Sequence, residues 1–218
     1  DVYKRQGLAW AYLKQYGFGT REKSAAVLEK GYDAARRAVA YAGNSPFAHY
    51  SMSTAHVWRG EKELSLKELE HAIDLNPFFT RAKLAYYNRH ELMDPRIGLE
   101  AAEELRKALA LSPREPDRPF YFWAIARMNL VAGENMEALD WADRALSVQP
   151  QSAMYLFRRA LCLAALDRVD EAQKALDQCE AASPGFLARQ LDWRPYDDEE
   201  RNKKVFGGFI RNGLAGWS

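Results

Sequence analysis

Five segments of this 218-residue chain end alike, in an amphipathic run, a small residue and, five positions later, a proline or glycine. They are ARRAVAYAG ending at Gly43, ELEHAIDLNP at Pro77, ELRKALALSP at Pro113, WADRALSVQP at Pro150 and ALDQCEAASP at Pro184. The small residues are Ala38, Ala72, Ala108, Ala145 and Cys179, and successive copies stand 34, 36, 37 and 34 residues apart. Such a period constrains the chain more than any motif in it. A unit this short cannot bury its apolar face alone, so the copies must stack and share one continuous core.

Seven and three residues before each small residue stand Gly31 and Ala35, Ser65 and Leu69, Ala101 and Leu105, Ala138 and Ala142, and Ala172 and Leu176. The i, i+4, i+7 spacing puts each trio on one helical face. Short side chains there let a second helix approach to the near end of the usual ~8–10 Å separation. Proline or glycine then ends the helix, the first for want of a donor and the second by tolerating a left-handed cap. Within copies the chain is expected to turn at Gly60, Gly133 and Asp167, and at Asp94 and Pro95 in the copy with two extra residues.

These signals predict helices over residues 4–16, 22–42, 47–58, 62–75, 80–92, 96–111, 120–132, 135–148, 153–166 and 169–182, with one more over 198–212. No run alternates with the two-residue period of a sheet face. The fold expected is all-α, a right-handed stack of five helical hairpins with the first irregular. The array should occupy residues 1–184, with SPREPDRP at 112–119 as a connector inside it. Residues 185–218 should form a capping tail with one helix, since arrays need their last apolar face covered.

The period and these trios resemble the tetratricopeptide repeat (TPR) over 25–184. The succession ARRAVA, AHYSM, LNP, LSP, then a tail with RPYDDEE and FIRNGLAGW, resembles the C-terminal TPR region of bacterial multidomain signalling proteins. There the region follows a class III adenylate or guanylate cyclase domain, or a winged-helix domain. That group's tail reads G-[LF]-R-x-A-G-L-P, from which FIRNGLAGW departs, and no cyclase residue can be carried over because all would lie upstream. The opening DVYKRQ resembles a translated sequencing adaptor, so residues 1–6 are expected to be non-native and the natural chain to begin further upstream. The resemblance implies a non-catalytic, cytoplasmic interaction or regulatory module, once fused to a cyclase-like domain. A free-standing TPR adaptor is the alternative, ahead of an enzyme with a site in the groove.

Charge and composition narrow the partner. Lys and Arg number 31 against 30 Asp and Glu, so the chain carries no field to concentrate nucleic acid. No apolar stretch approaches the ~20 residues of a membrane span. The two cysteines, Cys162 and Cys179, lack zinc-ligand spacing and fall on apolar faces, where buried free thiols are expected rather than a disulfide. His49 and His56 share a helical face but occupy positions where the TPR consensus has aromatic packing residues, which makes them packing histidines. His71 and His90 are expected to be solvated. Asp197, Asp198, Glu199 and Glu200 are expected to oppose a helix dipole at its start, and the glycines of GGF at 207–209 to form a flexible kink. No hydrolase, metalloprotease or phosphate-loop motif occurs, and no cofactor or metal is expected.

TPR geometry implies that the first helix of each pair lines a concave groove. The lining residues that would contact a protein or peptide partner are Phe47, Tyr50 and Trp58, then Arg81 and Asn88, then Phe120, Trp123 and Arg127, then Phe157. Aromatic and arginine side chains dominate binding hot spots; the equal alternative is a groove filled from within, by neighbouring helices or by the tail with its Trp193, Tyr196, Phe206 and Phe209. Only Arg81 and Asn88 match the carboxylate-clamp subtype, which is rejected.

Overall fold

The computed structural model describes residues 11–13, 25–93, 97–112, 114, 116–191 and 199–214. The helix expected over 4–16 and the turn at Asp94 and Pro95 fall largely outside these residues, although 11–13 are helical. Among the described residues there are helices and turns and no strand.

The chain divides into two compact units, Asp1–Arg89 and His90–Ser218, where the sequence suggested one array with its boundary at 184. The first contains α1 (Ala25–Tyr41), α2 (Pro46–Trp58), α3 (Lys62–Leu75) and the start of α4 (Thr80–Met93). The second contains α5 (Gly98–Leu111), α6 (Arg118–Ala132), α7 (Asn135–Val148), α8 (Ala153–Ala165), α9 (Val169–Ala182), α10 (Phe186–Leu191) and α11 (Glu199–Asn212). Three helices match their expected spans to the residue. α6 starts two residues early, because Arg118 and Pro119 fit the first helical turn, where proline's missing donor costs nothing.

The small-residue trios do what their spacing requires. Ala38, Ala72, Ala108, Ala145 and Cys179 are all at most 1% exposed, as are Ser65, Leu69, Ala101, Leu105, Ala138, Ala142, Ala172 and Leu176. Gly31 is tight for the same reason: a Cβ there would stand 2.9 Å from Leu13 Cδ2. The helices pack as hairpins, α2 on α3, α6 on α7 and α8 on α9.

The turns inside three hairpins are copies of one motif. Gly60, Gly133 and Asp167 take left-handed φ values of +78°, +87° and +56°. The amide of the following residue donates back to a carbonyl five residues earlier, Glu61 to His56 at 2.9 Å, Glu134 to Asn129 at 2.9 Å and Arg168 to Leu163 at 3.0 Å. This is the Schellman cap, which satisfies the orphan carbonyls of the first helix and aims the chain into the second.

The tail differs from its expectation in two respects. It holds two helices, since the six-residue α10 has no amphipathic repeat to betray it and is started by the Glu180 carboxylate, which accepts from the amides of Gly185 and Leu187. Nor does GGF form a kink. Gly207, Gly208 and Phe209 are regular helix within α11, which rests on α8 and α6 inside the second unit.

Leu105, in the middle of its trio with 0% exposure, gives a direct test of this packing. Leu105→Ala should cost about 2–5 kcal/mol of stability in urea unfolding followed by circular dichroism. Leu111→Ala, at the exposed end of the same helix, should change it by about 0.5 kcal/mol or less.

Candidate functional site

In the first unit, α2 and the start of α4 carry the aromatic and polar candidates. Phe47 and Trp58 are half-buried, as are Arg81 and Asn88, while Tyr50 is buried. Tyr50 packs edge-on against Phe79 at 5.6 Å and lies 6.1 Å from Phe47, over the Leu69, Ala72 and Ala82 core. Trp58 packs on the cluster formed by Leu13, Leu28, Ala35, Met52 and Ala55.

The first unit also holds a cation that the sequence did not single out. Arg89 donates from Nη1 to Ser53 Oγ at 3.0 Å and to Ser65 Oγ at 2.9 Å, tying α4 to α2 and α3. Burial draws its pKa down to about 10, so it remains charged at neutral pH. The signal was present at Ser65, a hydroxyl in a trio position that is glycine or alanine in the other four copies. A buried hydroxyl needs a partner.

The histidines of α2 pack as expected, and each also makes a short polar contact. His49 Nδ1 lies 2.6 Å from Glu68 Oε2 and its Nε2 lies 2.9 Å from the Gly43 carbonyl oxygen. Both ring nitrogens thus face acceptors, and the Glu68 contact first, then the Gly43 carbonyl, raises the His49 pKa above its ordinary 6.5. His56 Nδ1 lies 2.6 Å from Glu61 Oε2. His71 is exposed as expected, with its ring centroid 4.2 Å from that of His49, whereas His90 is half-buried rather than solvated. Among the described residues no group of three or more His, Cys, Asp or Glu side chains could hold a metal ion.

In the second unit Phe120 stacks on Trp123, with centroids 4.9 Å apart and planes 15° from parallel. Trp123 is half-buried, and the guanidinium carbons of Arg127 and Arg158 lie 5.8 and 5.3 Å from its ring centroid. Both arginines are 2% exposed. The sequence named Arg127 but not Arg158, which comes from the next first helix, α8, to the same ring. Phe157 lies under the tail, 5.9 Å from Phe186 and 5.8 Å from Phe209.

Helix α11 therefore occupies part of the first-helix face. Asn202, Val205, Phe206 and Phe209 form its buried stripe. Gly208 is forced, since a Cβ there would collide with the backbone of Ala164. Gly207 is not forced: a Cβ would meet nothing within 4 Å, and a glycine inside a helix costs about 1 kcal/mol relative to alanine. Beside it, between α11 and the ends of α6 and α8, lies a cavity of about 270 Å³ bordered by Leu130, Ala165, Lys203 and Arg211. Arg211 donates from Nε to Asp167 Oδ1 at 3.0 Å, and Asn212 Nδ2 to the same oxygen at 3.3 Å.

The thiols offer no nucleophile. Both cysteines are free and buried, and burial pushes Cys162 up to about 12 and Cys179 to about 11. Cys179 Sγ donates to the Ala153 carbonyl at 3.2 Å. No helix among the described residues is long and apolar enough to cross a membrane.

No family model matches the chain, and no curated protein matches it. Solved structures do. PilW, a type IV pilus biogenesis factor, is 14% identical with a TM-score of 0.74 over 99% of this chain and 89% of its own. PilF of Pseudomonas aeruginosa is 18% identical with a TM-score of 0.67 over 98% and 90%. YrrB, a TPR protein with an unusual peptide-binding site, is 15% identical with a TM-score of 0.57 over 87% and 96%. At such identities the likeness concerns the fold alone, and that fold is an all-α solenoid of TPR-type helical hairpins.

The His49 contacts give a pH dependence of definite sign. A histidine whose folded pKa is raised stabilises the fold fully below its unfolded value, and that contribution is lost as pH rises through the folded one. Stability of the first unit should therefore fall as pH climbs past 6.5 through the raised value. The check is an NMR titration of His49 beside pH-dependent amide exchange in α2 and α3, with His49→Gln flattening the exchange profile.

Proposed function

We propose that this chain is a non-catalytic TPR interaction module that holds a protein or peptide partner on its first-helix faces. The observation that supports this best is Trp123. Its ring is partly exposed, backed by Phe120 and flanked by two buried guanidiniums, the combination of rigid aromatic area and fixed charge that dominates binding hot spots. In the first unit Phe47, Trp58, Arg81 and Asn88 offer the corresponding accessible side chains. Tyr50 and Phe157 supply the floor beneath them, and Arg127 the charge.

The wider reading is that the module is the C-terminal part of a larger cytoplasmic bacterial signalling protein with a cyclase-like or winged-helix domain upstream. It rests on the resemblance of RPYDDEE and FIRNGLAGW to the tails of that group. A free-standing adaptor is the second reading, since the TPR-type fold serves either arrangement equally. Genomic sequence upstream of Leu8 separates the two: an open cyclase or winged-helix frame supports fusion, and an immediate start codon defeats it. An enzymatic role ranks last, because both thiols are held protonated and His49 and His56 are committed to carboxylates.

With a partner in hand, Trp123→Ala should weaken binding by about 2 kcal/mol, the hot-spot scale, with helicity and unfolding midpoint unchanged. If that replacement lowers stability as much as Leu105→Ala does, Trp123 belongs to the core and the assignment fails. Isothermal titration beside urea unfolding reads both quantities.

A further inference from the structure

A helix that only extended the stack would lie along α9, as the next first helix. Helix α11 instead rests on α8 and α6, the two first helices of the second unit's last hairpins. It lies there as a helical ligand would, with Val205, Phe206 and Phe209 seated and Gly208 letting its backbone touch that of Ala164.

Three features make this seat a releasable one. Gly207 weakens the helix without any packing need, and the neighbouring cavity of about 270 Å³ leaves the seat incompletely filled. The polar latch, Arg211 to Asp167, joins side chains that are 55% and 64% exposed, so solvent screens it. Asp167 is also the only one of the three left-handed hairpin turns that is not glycine. Aspartate enters that conformation less readily than glycine, and what it supplies in return is the acceptor for Arg211 and Asn212.

We propose that α11 is a displaceable occupant of the second unit's first-helix face. It stands in for a partner helix that presents two aromatic side chains three residues apart, with a glycine just before the second. The proposal rests on the module reading above and names the partner of that same face.

The probe is a fluorescein-labelled peptide of residues 199–214, followed by anisotropy against the full chain. Replacements in the chain's own α11 change the competitor and leave the groove intact. Phe209→Asp in the chain should tighten peptide binding at least about tenfold, and Arg211→Ala, which removes the latch from the competitor while the peptide keeps its own Arg211 for Asp167, should tighten it severalfold. Gly207→Ala should weaken it about fivefold, as a firmer competitor must. The peptide carrying its own Phe209→Asp should not bind.

Equal binding by the intact and Phe209→Asp chains would overturn the proposal. So would a folded Phe209→Asp chain that ignores the peptide, or one that loses far more helix than the residues of α11, which would make α11 part of the core. None of these outcomes touches the Trp58 and Trp123 surfaces, whose replacement tests the module reading separately.

Discussion

The contact that everything else depends on is the close approach of paired helices across the small-residue trios. At Ala72, Ala108 and Ala145 the second helix of a hairpin has only a methyl group between its backbone and the first, and these positions are buried to within 1%. Dispersion falls off steeply with separation, so a close interface gains from every atom pair along its length, while a larger side chain at one anchor would separate the hairpin over several turns. That spacing demands a sharp, repeatable reversal between the helices, which the Schellman caps at Gly60, Gly133 and Asp167 provide.

Using one face of each first helix for its hairpin partner leaves the opposite face to be satisfied. In this chain that face is rich in aromatic side chains, whose contact with water is unfavourable unless they are covered or bound. The second unit does both. Phe157 is covered by Phe186 of α10 and Phe209 of α11, whereas Phe120 and Trp123 at the other end of α6 remain accessible. The same physical surplus of apolar area accounts for the tail and for the candidate binding surface, which compete for one set of first helices.

Periodicity made the hairpins legible: α3, α7 and α9 lie where the stripe and stop signals place them, and the chain turns at Gly60, Gly133 and Asp167 as expected. What escaped the sequence depends on contacts between distant segments. The six residues of α10 are too few to show a period, and their start is set by Glu180 from the preceding helix. Gly208 reads as a flexible residue until Ala164 is known to lie against it. The candidate list likewise placed Tyr50 and Phe157 on the lining by position, and only packing distinguishes these floor residues from the accessible Trp58 and Trp123.

The arginines complete the argument about specificity. An all-apolar first-helix face would take any amphipathic helix, in any register. Arg127 and Arg158 set fixed charge beside the Trp123 ring in the second unit, and Arg89 sets it among serine hydroxyls in the first. Among the described residues the Arg89 guanidinium is held by two serine hydroxyls, which supply acceptors without a charge of their own. Arg89 thus fastens three helices through one charged side chain. Its partner Ser65 interrupts a stripe that is otherwise apolar in this copy. That exchange of a methyl for a hydroxyl gains nothing in packing, and its physical return is the anchored charge.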